Sequence, residues 1–187
     1  MKPRLRFLAR VSAVVVAASL SLALAGCATS SAINESKPLP AGVAAYKSLG
    51  IRMKPSLPED EGGKYSQKFA TYLAAKLNEQ KVFAQVLTDP ASPADLVVTL
   101  SFTKIDRPGG AMSVLGGSGA NAEVELDGAF TAGAATDPLA TFHLMGNSRN
   151  RGRTSVGGFG VTSSEDYTDT AIEEAAGKLA ELLASRR

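Results

Sequence analysis

Two long alternating stretches with no helical stretch between them constrain the fold of this chain most. Over 95–105, Leu96, Val98, Leu100 and Phe102 alternate with Val97, Thr99, Ser101 and Thr103. This is the period-two pattern of a strand. Over 122–131, Val124, Leu126 and Phe130 share one face, and Glu123, Glu125 and Asp127 share the other. That second face must be solvated or partnered. After Gly133 and Asp137-Pro138, residues 139–146 read as the return arm of a hairpin. Residues 43–53 read as a first strand, with Gly50 marking a bulge, and 82–87 as a short one. The apolar sheet face needs a cover, and two amphipathic helices supply it. Tyr65, Phe69, Tyr72, Leu73 and Leu77 form one helical stripe over 65–80. Ile172, Ala175, Ala176, Leu179, Leu182 and Leu183 form another in a helix that starts near Ser163 or Ser164. Gly177 interrupts that stripe, and close packing is the expected reason. The predicted fold is α+β, a mostly antiparallel sheet of about five strands with two helices packed on one face.

The amino terminus has a different character. Lys2, Arg4, Arg6 and Arg10 stand ahead of an uncharged apolar run from Val11 to Leu22. Cations followed by such a run are the pattern of an export signal. Even extended to Ala25, the run is short for a membrane span, which needs about 20 apolar residues. It ends in Leu24-Ala25-Gly26-Cys27, which resembles the lipobox of bacterial lipoproteins. The resemblance implies cleavage before Cys27, a diacylglycerol on its sulfur and an acylated (palmitate-type) amino group. Ala28, rather than Asp, follows the cysteine. In the lipoproteins this resembles, that implies the outer membrane, facing the periplasm. The expected organisation is a signal peptide at 1–26, the lipidated cysteine and a flexible linker at 27–40, and one domain at 41–187.

Cys27 is the only cysteine, which excludes an internal disulfide and a cysteine-based zinc cluster. Removing residues 1–26 takes away four cations and no acid, so the formal net charge of +2 becomes negative. The basicity of the full chain is therefore an export feature, and no nucleic-acid partner is expected.

Arg107-Pro108-Gly109-Gly110-Ala111-Met112, Leu115-Gly116-Gly117-Ser118-Gly119-Ala120-Asn121-Ala122-Glu123-Val124 and Glu173-Glu174-Ala175-Ala176-Gly177-Lys178-Leu179-Ala180 carry a second resemblance. Over 41–185 the chain resembles small proteobacterial lipoproteins of unknown function with a Gly-rich middle. Its element order is also similar to TolB amino-terminal-like envelope domains, which act by binding partners. Neither resemblance brings catalytic residues with it.

The Gly-rich stretch 109–119 lacks the Lys-Ser/Thr pair and following helix of a phosphate loop. It reads as a flexible hairpin loop or as a partner-binding loop that uses Met112, Val114 and Leu115. Arg149, Arg151 and Arg153 either end a solvated strand, paired with Glu123, Glu125 and Asp127, or bind an anionic partner. Met112, Leu115, Arg149, Arg151 and Arg153 are thus the candidate partner surface, beside the lipidation site Cys27. His143, the only histidine, shares a strand face with Thr141 and Met145. No nucleophile motif accompanies it, and too few His and Cys remain for zinc. Glu59-Asp60-Glu61 and Glu173-Glu174 read as solubilising groups.

The expectation is a non-enzymatic domain without cofactor or metal. It is held to a membrane by lipid and binds or scaffolds an envelope protein or cell-wall component. Self-association through the Gly-rich hairpin or an open sheet edge is possible on the same reading. An envelope hydrolase using His143, or a small-ligand or lipid carrier, are the alternatives.

Overall fold

A computed structural model describes residues 31–54, 57–107, 121–148 and 164–187, without the side chains of 164–166. The elements run β1 (Ala32–Lys37), β2 (Ser48–Met53), α1 (Lys64–Gln80), β3 (Gln85–Leu87), β4 (Leu96–Asp106), β5 (Glu123–Ala132), β6 (Ala140–Asn147) and α2 (Ser164–Ser185). The strands form a six-stranded sheet in the order β1-β6-β5-β4-β2-β3. The α+β class and the two helices on one face agree with the sequence.

The sheet is mixed, and it holds six strands rather than about five. β1–β6, β6–β5 and β5–β4 are antiparallel, while β2 pairs parallel with both β4 and β3. The cause is α1, since a helix between two strands returns the chain to the same end and makes a parallel crossover. The extra strand is β1, inside residues read from sequence as flexible linker. It pairs with β6 from Ala32 opposite Met145 to Lys37 opposite Thr141. The strand expected over 43–53 is also shorter. Val43–Ala45 is a 3-10 turn, and the strand begins at Ser48.

The covered face follows the period-two pattern. Leu96, Val98, Leu100 and Phe102 of β4 sit opposite Ala132, Phe130, Gly128 and Leu126 of β5. Phe69, Leu73 and Leu77 of α1 and Ile172, Ala176 and Leu179 of α2 are fully buried in the same core. Two glycines shape it. A Cβ on Gly128 would run into the Phe142 ring, which lies over it. A Cβ on Gly146 would strike the backbone carbonyl of Ala171 and come within 2.7 Å of the Ala175 Cβ. Gly146 is therefore where α2 meets the sheet. Gly177, read from sequence as the close-packing glycine, has nothing within 4 Å of an added Cβ.

The two chain ends of the domain clasp each other. Glu35 accepts a hydrogen bond from Leu39 N and pairs with Arg186 at 2.7 Å. The Arg186 carbonyl accepts from Gly42 N and Val43 N.

Candidate functional site

Both helices lie on one side of the sheet, and among the described residues nothing covers the other side. On it the alternation of β4, β5 and β6 sets out polar groups in rows. Ser101, Asp127, His143 and Asn34 form one row across four strands, and Thr99, Ala129 and Thr141 form the next. The acids stand on the face that their alternation predicts, and His143 shares it.

His143 lies between two carboxylates. Its Nδ1 is 2.8 Å from Asp127 and its Nε2 is 3.3 Å from Glu125. Lys104 joins from β4, at 2.5 Å from Glu123 and 3.3 Å from Glu125. A bulge between Phe102 and Lys104 shifts the register and sets Lys104 opposite Glu125. Hydrogen bonding to Glu123 raises the Lys104 pKa above the ordinary lysine value, against a smaller opposing effect of burial. Beside this network lies a shallow cavity of about 390 Å³, lined by Ser36, Lys54, Thr99, Ser101, Thr141 and His143 among others.

This arrangement suits polar recognition. A Ser-His-Asp relay needs one imidazole nitrogen turned to a carboxylate and the other to a nucleophile. Here carboxylates face both nitrogens of His143. Among the described residues, no group of three or more His, Cys, Asp and Glu is placed to hold a metal ion.

A second concavity, of about 550 Å³, lies where β2 and β3 end and α1 begins. Ile51, Met53, Leu57, Pro58 and Ala70 give it an apolar lining. The helix terminus beside it already holds an anion. Asp60, 4% exposed, accepts hydrogen bonds from Tyr65 N at 2.8 Å and Ser66 N at 3.0 Å, and from Ser66 Oγ at 2.6 Å. Asp60, read from sequence as solubilising, is a buried helix cap. An Asp ahead of the α1 apolar stripe was the signal that could have found it. Nearby, Arg107 lies over the Tyr65 ring at 4.9 Å and pairs with Glu61 at 2.7 Å.

The lipidation candidate Cys27 lies outside the described residues, as do Met112, Leu115, Arg149, Arg151 and Arg153. Their described neighbours lie at one end of the sheet. Asp106 pairs with Glu123 and Glu123 with Asn147, and the Ser31 hydroxyl accepts a hydrogen bond from Asn147 N. Ser148 N donates to the Ala122 carbonyl. The structure thus gathers at one end the points where the chain leaves toward each candidate. Among the described residues, no helix is long and apolar enough to cross a membrane.

No family model and no curated protein matches this chain. Among solved structures it is similar to a PelC dodecamer variant from Paraburkholderia phytofirmans, at 12% identity and a TM-score of 0.47, covering 84% of this chain and 99% of that one. A second PelC dodecamer from the same organism matches at 9% identity and a TM-score of 0.45, covering 79% and 96%. A candidate lipoprotein from Caulobacter crescentus CB15 matches at 15% identity and a TM-score of 0.37, covering 77% and 91%.

Proposed function

We propose that the chain is a lipid-anchored envelope protein that binds another envelope component through the open face of its sheet. Cys27 is the acylated residue, and the domain faces the periplasm from the outer membrane. The observation that carries the binding role is the open face itself. Among the described residues the six strands are covered on one side only, and the other side sets a charged network beside a hydroxyl-lined cavity. We read the domain as a binding module rather than an enzyme, because carboxylates flank both nitrogens of His143. The partner, an envelope protein or a cell-wall polymer, presents polar and charged groups of its own.

Two measurements test this reading. Intact mass of the protein extracted from separated membranes should find acyl groups on Cys27 in the outer-membrane fraction. A photoreactive residue at Thr99 should cross-link in cells to one reproducible species, and the same group at Ala75, on the exposed side of α1, should not. Repeated absence of a product from Thr99 counts against the open face. His143→Ala should weaken the cross-link from Thr99, whereas loss of a hydrolytic activity on an envelope substrate in that variant would favour an enzyme.

The apolar concavity at the end of β2 supports a second reading, a carrier of a lipid or small apolar ligand. A fluorescent fatty acid would then bind, and Ala70→Trp would abolish its binding by filling the space.

A further inference from the structure

The structure bears on how the anchor holds the domain, granted the acylation of Cys27 proposed above. Residues 28–40 would be a long spacer if they were all flexible. They are not, because β1 occupies 32–37 and Ser31 is already fixed. Ser31 is 5% exposed, and its Oγ accepts a hydrogen bond from Asn147 N at 3.1 Å. Ser31 stands four residues after Cys27. An extended chain spans at most about 3.6 Å per residue, so Cys27 lies within about 14 Å of Ser31. The sheet is much taller. The 11 residues of β4, at about 3.3 Å each, extend over about 36 Å.

We infer that the end of the sheet that receives Ser31 faces the membrane and rests against the lipid surface. The opposite end, with the β5–β6 turn at Gly133–Leu139, points away. The tether is less than half the height of the sheet, so the domain has no room to stand off or turn over. At the same end Pro58 and Ile105 stand beside Arg107, with Glu59 and Glu61 next to them.

The test uses the full, lipidated chain in vesicles of phosphatidylethanolamine and phosphatidylglycerol that carry an acceptor-dye lipid. Acylation removes the Cys27 thiol, so a single introduced cysteine takes the donor dye. Glu59→Cys marks the end near Ser31, and Ala135→Cys marks the far turn. Energy transfer to the bilayer should be several-fold stronger from the first. A long Gly-Ser insertion just ahead of Ser31 should shrink the difference. Equal transfer from both, or stronger transfer from Ala135→Cys, in a vesicle-bound chain with acyl mass on Cys27 overturns the orientation alone. A chain that fails to float with the vesicles and carries no added mass on Cys27 overturns the attachment, and the orientation with it.

Discussion

The two faces of the sheet are built from the same strands and obey opposite rules. On the covered face Leu100, Leu126, Phe130 and Leu144 are fully buried, and glycines stand where a ring or a helix comes too close for a side chain. On the open face Thr99, Ser101, Glu125, Thr141 and His143 stay partly exposed. Packing determines what the first face tolerates, so substitutions there should register as stability. Solvent screens the second face, so substitutions there should register mainly in what binds to it.

The largest expected effect is on the covered face. Phe130 is fully buried and lies 5.3 Å from the Phe142 ring. Phe130→Ala should destabilise the domain by about 3–5 kcal/mol, through lost transfer free energy and a cavity under the helices. Urea denaturation of the domain without its signal peptide measures this. A loss below about 1 kcal/mol would mean that the site collapses freely, unlike a packed core.

Gly146→Val comes next. Its Cβ would meet the Ala171 carbonyl and the Ala175 Cβ, so α2 would have to move off β6. Overpacking of this kind costs about 1–3 kcal/mol. Gly177→Ala is the control on the same helix, with open space around the added methyl. It should stabilise by about 1 kcal/mol, because alanine relieves the helix of glycine's entropy penalty. The two variants together separate a glycine kept for contact from one that makes none, and thermal melts read both signs.

Periodicity made some of this legible and missed the rest for a physical reason. The stripe Tyr65, Phe69, Leu73 and Leu77 and the alternation along β4 and β5 are local patterns, and the buried residues follow them except at Val97, which is 2% exposed on the other face of β4. The faces of Glu125, Asp127 and His143 were legible in the same way. β1 was not. Its sequence, Ala-Ile-Asn-Glu-Ser-Lys, lacks alternating apolar residues, and main-chain pairing with β6 and the Glu35–Arg186 contact hold it. That contact joins residues 151 positions apart. Lys104 escaped notice because a bulge sets its register. Gly146 and Gly177 look alike in sequence, and only the approach of α2 distinguishes them. The partner-surface candidates at 112, 115, 149, 151 and 153 lie outside the described residues, so they rest on the sequence alone.

The smallest effect expected is on the open face. Lys104 pairs with Glu123 and Glu125 while its side chain remains 44% exposed. Exposed pairs of this kind contribute less than about 1 kcal/mol, so Lys104→Met should barely shift the denaturation midpoint at neutral pH. The pH dependence discriminates better. Hydrogen bonding to Glu123 raises the folded-state pKa of Lys104, so the folded state holds that proton more tightly than the unfolded chain does. The resulting stabilisation is fully present below the unfolded value, about 10.4, and is lost as pH rises through the higher folded value. Melting curves should therefore show an alkaline decline in the wild-type chain that is smaller in Lys104→Met. In about 1 M salt, where the screening length falls to about 3 Å, the two chains should converge. A neutral-pH loss well above 1 kcal/mol would instead mean that Lys104 is shielded from solvent. The open face would then be occupied, by a second copy or by another part of the chain, before any partner reaches it.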